Sequence, residues 1–136
     1  MKIELDDIRV VRGGRTIIDG MSLAVPEGAF ASILGPSGAG KSTLLGVVSG
    51  LLVQDGGSVR FDGRAVDALP AHKRGVAMVF QDARLFPHMS AGDNVAFPLK
   101  ARGVAKAERR AEAEEWLARV QLAGFAGRRV QELSGG

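Results

Sequence analysis

Apolar residues near the start of the chain recur at every second position and then change phase. Ile3 and Leu5 hold one parity, Ile8 and Val10 the other. Gly13-Gly14 breaks the run and "RTII" resumes it, a pattern that predicts a β-hairpin. "MSLAV" alternates again through Met21, Leu23 and Val25 and stops at the turn-forming "PEG". Two later runs are apolar without alternation: "FASIL", residues 30–34, and "GVAMVF", residues 75–80. Such runs are expected as strands covered on both faces of a parallel sheet. Between them, Leu44, Leu45, Val47 and Val48 occupy most faces of a helix over residues 41–49, with Gly50 as its C-terminal cap. "GGSVRFDG" predicts a further strand between glycine turns.

From residue 90 onward the period lengthens. "SAGD" opens a helix directed toward Lys100, and Pro98 limits its length. Residues 105–122 are rich in Ala, Glu and Arg, with Ala113, Trp116, Leu117 and Val120 on one helical face. Trp116 is expected to pack in the core. Glu115 and Arg119 have the spacing and order of a helical ion pair, and Gly124 suits the stop. The first half is therefore strand-rich around one buried helix, and the second half is helical.

Composition narrows the class. The chain has 136 residues, 46% of them hydrophobic and 24% charged, enough for one domain with a core and unlike a disordered segment. The 18 basic and 15 acidic residues are interleaved, so charge gives no argument for nucleic-acid binding. Absence of cysteine excludes a disulfide scaffold and a thiolate metal site. The longest apolar stretch, "LLGVVSGLLV", is about half of the ~20 residues a membrane span needs. Any membrane role would need a span supplied by a partner.

"GPSGAGKST", residues 35–43, fits the pattern G-x-x-x-x-G-K-S. Phosphates need donors at close range. Glycines let successive backbone N–H groups point inward, and the following helix adds the partial positive charge of its N-terminus. Gly35, Pro36, Ser37, Gly38, Ala39, Gly40, Lys41, Ser42 and Thr43 are the candidate phosphate-binding residues. Lys41 would meet the β- and γ-phosphates, and the Ser42 hydroxyl would meet Mg²⁺. The required strand and helix flank the motif in the predicted order.

Three blocks carry a resemblance: "GPSGAGKSTLLGVVSGL", "VAMVFQDARLFPHMSAGDNVAFPL" and "QELSGG". In that order they resemble the nucleotide-binding subunit of ATP-binding cassette (ABC) transporters. The resemblance implies an α/β P-loop NTPase with an N-terminal antiparallel β subdomain and a helical subdomain. Residues 1–81 would form the β subdomain and P-loop core, and 82–136 the glutamine loop and helical part. The chain would be an N-terminal fragment that lacks the C-terminal part of the core sheet and the hydrolytic half. Alone it is expected to fold poorly or to form a soft, partly open structure.

Residue by residue, the resemblance assigns Gln81 to Mg²⁺ and the attacking water, beside Lys41 in catalysis. Ser134, Gly135 and Gly136 would touch the γ-phosphate held by a second subunit. Leu85, Phe86 and Met89 would dock on the permease; packing beneath the helices is an equal reading of these three. Position 12, where the family stacks adenine on an aromatic, carries Arg12, whose guanidinium plane can also stack; an exposed hairpin residue is the other reading. His72 and His88 precede the signature and do not match the family's switch histidine.

The implied function is ATP binding and hydrolysis that powers solute import, with ATP and Mg²⁺ as cofactors. Implied partners are transmembrane permease subunits, a second ATPase subunit in a homodimer or pseudo-dimer, and indirectly a solute-binding protein, with no nucleic acid. The implied location is cytoplasmic, at the inner face of the membrane. The order of residues 72–99 looks most like importers of polyamines, ferric iron or oxyanions. Two other classes stay open: a soluble ABC ATPase acting on nucleic acid or ribosomes, and a non-hydrolysing nucleotide-binding module.

Overall fold

The computed structural model describes residues 1–82 and 84–133. It divides into two compact units, Met1–Val79 and Phe80–Gly136. The first is built on the antiparallel strands β1 (Ile3–Arg12), β2 (Arg15–Val25), β3 (Gly56–Phe61) and β4 (Arg64–Ala65), in spatial order β2-β1-β3-β4. Helix α1 (Lys41–Ser49) contributes Leu44 and Val47 to a core shared with Leu5, Ile8, Val10, Ile18, Val59, Phe61 and Val66.

The phase change in the β1 sequence is a bulge. Pairing with β2 shifts between Leu5 and Ile8, and Asp7 takes φ 50°. The extra residue keeps Leu5, Ile8 and Val10 all buried despite their different parity. Asp7 donates its N–H to the Ser22 hydroxyl across the bulge, at 2.9 Å. The hairpin is present, but "RTII" and "MSLAV" form one continuous strand rather than two. Gly20, at φ 67°, absorbs the irregularity between them.

The two continuous apolar runs depart from expectation. Neither residues 30–34 nor residues 75–80 form a strand. Ile33 and Val76 reach the core, but Phe30, Leu34 and Val79 are 94%, 90% and 97% exposed. A parallel strand exists only when neighbours satisfy its backbone donors and acceptors. Among the described residues the sheet includes neither segment.

Helix α1 ends as its sequence indicates. Gly50 is left-handed at φ 76°, and its N–H reaches the Val47 carbonyl. Beside it lies a buried arginine. Arg74 donates to the carbonyls of Leu69 (3.0 Å), Val47 (2.8 Å), Val48 (3.2 Å) and Asp67 (3.3 Å). A guanidinium thus satisfies the end of α1, where the helix carries partial negative charge. Leu45, by contrast, is 46% exposed, so α1 buries one stripe rather than most of its surface.

The second unit holds α2 (Ala91–Val95), α3 (Phe97–Ala101) and α4 (Lys106–Arg119). Pro98 lies in the first turn of α3, where its missing N–H costs nothing, so the chain restarts a helix there instead of extending α2. Ala113 and Leu117 of α4 are buried, as their spacing predicts. Trp116 and Val120 are not: they are 50% and 61% exposed, which corrects the core assignment of Trp116. The Trp116 ring lies under the Arg119 guanidinium at 4.7 Å, and Arg119 also pairs with Glu115 at 2.6 Å. Gln121 rather than Gly124 turns the chain out of α4, at φ 65°. The amides of Gln121 and Leu122 close the helix on the carbonyls of Ala118 and Leu117.

Candidate functional site

The phosphate-binding pattern folds as a loop on the first unit. Pro36 and Ala39 close a turn, Gly38 takes φ 83°, and Gly40 takes φ 85° as the residue that starts α1. Both glycines hold left-handed conformations that strain other residues. Gly40 is also tightly placed: a Cβ there would lie 3.2 Å from the Ile17 carbonyl. The loop is thereby seated on β2.

The start of α1 is free of side-chain caps, and its first turn has no acidic residue. Its early N–H groups therefore have no side-chain acceptor. Lys41, the first helical residue, donates from Nζ to the Gly35 and Pro36 carbonyls at 2.8 and 2.6 Å. The ammonium is held across the loop's own mouth. Ser42 is exposed, and Ser37, Gly38 and Ala39 are open to solvent, whereas Thr43 is half-buried.

Magnesium is a hard cation that takes oxygen ligands and keeps water and phosphate oxygens in its shell. The exposed Ser42 hydroxyl fits that donor preference. Among the described residues no group of three or more His, Cys, Asp or Glu could hold a metal by itself. A metal here would depend on the phosphates for most of its ligands.

Arg12 lies in the same unit, at the end of β1, and its guanidinium is engaged. It donates to the Val11 carbonyl at 2.7 Å, the Asp55 carboxylate at 3.2 Å and the Val53 carbonyl at 2.8 Å. Nothing in the sequence pattern singles out Asp55, because the contact spans 43 residues.

The second unit carries the remaining candidates. Gln81 is exposed at its start. Phe86 packs on Phe97 with ring centres 4.5 Å apart and planes tilted by 42°, and His88 meets it edge-on at 6.0 Å. Leu85 and Phe86 remain 44% and 39% exposed. Met89 is half-buried. The loop is held by Asn94, which accepts from the Phe86 N–H at 2.8 Å and donates to the Phe86 and Ser90 carbonyls at 3.2 and 2.9 Å. Gln131 donates to the Pro87 carbonyl at 3.1 Å. Sequence reading passed over Asn94, although an Asn inside a short helix beside a turn is a known source of backbone bonds. Ser134, Gly135 and Gly136 lie outside the described residues. His72 and His88 are both exposed.

The chain is 46% identical over its full length to the Fe(3+) ions import ATP-binding protein FbpC of Streptomyces avermitilis. It is 43% identical over 98% of its length to the spermidine/putrescine import ATP-binding protein PotA of Nitrosospira multiformis. It spans 39% and 37% of those two relatives. Among solved structures it superposes on the dimeric ATP-binding cassette MJ0796, bound to ADP and Pi after hydrolysis. That match has a TM-score of 0.85 at 31% identity and covers 98% of this chain and 63% of the other. The chain thus holds part of the α/β cassette fold expected from the three sequence blocks, its antiparallel sheet and helices. With the ABC transporter family model matching residues 18–136, the chain belongs to the ABC transporter family.

Proposed function

We propose that this chain carries the nucleotide-binding part of an ATP-hydrolysing subunit that powers solute import through a membrane permease. The observation that supports this most directly is the start of α1: an uncapped helix N-terminus, two left-handed glycines and Lys41 held over the loop. The similarity to import ATP-binding subunits supports the transport reading. No helix among the described residues is long and apolar enough to cross a membrane, so a span would come from permease subunits.

In this reading the N–H groups of residues 38–43 bind the ATP phosphates, and the Lys41 ammonium leaves the Gly35 and Pro36 carbonyls for the β- and γ-phosphates. That exchange replaces two neutral acceptors with charged ones, which strengthens each bond. Ser42 and Gln81 would hold Mg²⁺, which when bound supplies charge neutralisation at the phosphates. Gln81 would also orient the attacking water. A second ATPase subunit would close on the nucleotide through Ser134, Gly135 and Gly136. Leu85, Phe86 and Met89 would meet the permease at the inner membrane face. The working division is 1–81 for the phosphate core and 82–136 for the helical part. Ferric iron or a polyamine is the favoured solute class, by the similarity alone.

Lys41→Ala tests the core of this reading. In the full-length protein it should cut ATP turnover at least about a hundredfold, because it removes a preorganised cation from the developing charge. Turnover within twofold of the parent protein would overturn the assignment.

A further inference from the structure

Among the described residues Arg74 is the only charged side chain that is buried, at 6% exposed. It takes part in no ion pair there. Asp67 is the one carboxylate on the segment between β4 and Arg74, and it is engaged elsewhere. It accepts from the Val59 N–H at 2.9 Å and from the Gln54 side-chain amide. His72 and Lys73, on the same segment, are exposed. A buried guanidinium without a carboxylate is costly unless other dipoles offset it.

The offset comes from α1. Arg74 donates to the Val47 and Val48 carbonyls at the C-terminal end of that helix. A Cβ at Gly50 would lie 2.5 Å from the Arg74 Nε, so the glycine makes room for the guanidinium against the last turn. The helix has no basic residue of its own in that turn and no acidic one in its first. A charge from another part of the chain thus neutralises the negative end of the α1 dipole, while the positive end, at the phosphate loop, is left unopposed. Over nine residues the two ends lie roughly 13 Å apart at ~1.5 Å per residue. At that range and an effective dielectric of about 20, a unit charge at one end shifts binding of an opposite unit charge at the other by up to about tenfold.

We propose that Arg74 supports the phosphate site electrostatically through α1: its buried charge raises the affinity of the far end of the helix for polyanions, and more so the higher their charge. This rests on the phosphate-site reading above. Arg74 is a positioning residue and touches no nucleotide. Lys41 supplies the cation at the site, and Arg74 removes the opposing charge behind it.

The test measures Mg-ATP and Mg-ADP binding to the full-length protein by calorimetry. Arg74→Gln should weaken Mg-ATP about three- to tenfold and Mg-ADP by a smaller factor, because the longer phosphate chain carries more charge. Lys73→Gln removes an exposed charge one residue away and should change neither by more than about twofold. Arg74→Lys keeps the charge without the fork of hydrogen bonds. Lysine in that place titrates, because burial favours its neutral form. Charged, the variant should bind Mg-ATP within about twofold of the parent protein, whatever it costs in stability. As the lysine loses its proton, followed by NMR at Cε, binding should weaken about three- to tenfold relative to the parent protein at the same pH. Equal losses for ATP and ADP in Arg74→Gln, or binding to Arg74→Lys that does not follow the titration, would make Arg74 a structural clamp alone. Either result would overturn the proposal and leave the phosphate site standing, and Arg74→Lys carries the test if Arg74→Gln does not fold. Mg-ATP binding that survives Lys41→Ala unchanged would overturn the phosphate site, and the support with it.

Discussion

The two loops that carry the candidate functional residues are held in different ways. The phosphate loop of the first unit is shaped by backbone. Its glycines take conformations that strain other residues, its last glycine is pressed against β2, and the helix that follows is anchored in the core by Leu44 and Val47. The loop of residues 84–90 in the second unit is shaped by side chains. Asn94 and Gln131 bond its carbonyls and amide while its aromatic residues stay partly exposed. A backbone cradle suits a ligand that needs several N–H donors at close range, such as a phosphate chain. A loop clamped by polar side chains can present an apolar surface and still shift by exchanging a few bonds.

The largest expected effect breaks the first arrangement from below. Arg74→Ala removes the only side chain bonded to the Val47 and Val48 carbonyls among the described residues and leaves a buried gap. It should cost about 3 kcal/mol in urea unfolding of the full-length protein. A loss under about 1 kcal/mol would mean that the end of α1 does not depend on it.

Asn94→Ala sharpens the contrast. Three hydrogen bonds to residues 86 and 90 are lost. Stability should fall by about 1–2 kcal/mol. Amide exchange should rise in residues 84–90 and stay unchanged in residues 35–45. Equal acceleration in both loops would show that they are not independently held.

Glu115→Gln is the smallest. It breaks a pair whose side chains are 59% and 62% exposed, so it should change stability by no more than about 0.5 kcal/mol, and less at high salt. A larger effect would give the exposed face of α4 a role beyond solvation.

Much of the first unit was legible in the chain. The hairpin, the strand at residues 56–61, helix α1 and its Gly50 cap follow from parity, glycine placement and apolar spacing, all local properties. The candidate phosphate loop was legible for the same reason: its shape depends on backbone conformation, and glycine positions record that directly. In the second unit, Glu115 with Arg119 is a neighbour relation on one helix and was equally plain.

What failed was whatever needed a distant partner. "FASIL" and "GVAMVF" read as strands from their own composition, but pairing is a property of two segments, and no described strand lies beside either. Trp116 shares a helical face with Leu117 by spacing alone; only the packing of α4 decided that Leu117 is buried and Trp116 is half-exposed. Arg74 and Asp55 look like ordinary surface charges in the sequence. The α1 carbonyls that Arg74 meets lie 26–27 residues away, and Arg12 and Val11 lie 43–44 residues from Asp55, so only the folded chain could bring a guanidinium to the end of α1 and a carboxylate to the hairpin arginine. By itself the sequence determined much of the local conformation and the glycine-lysine pattern that points to phosphate, because both are written in short-range spacing. The tertiary structure decided which charges act together, because that depends on where the backbone carries them.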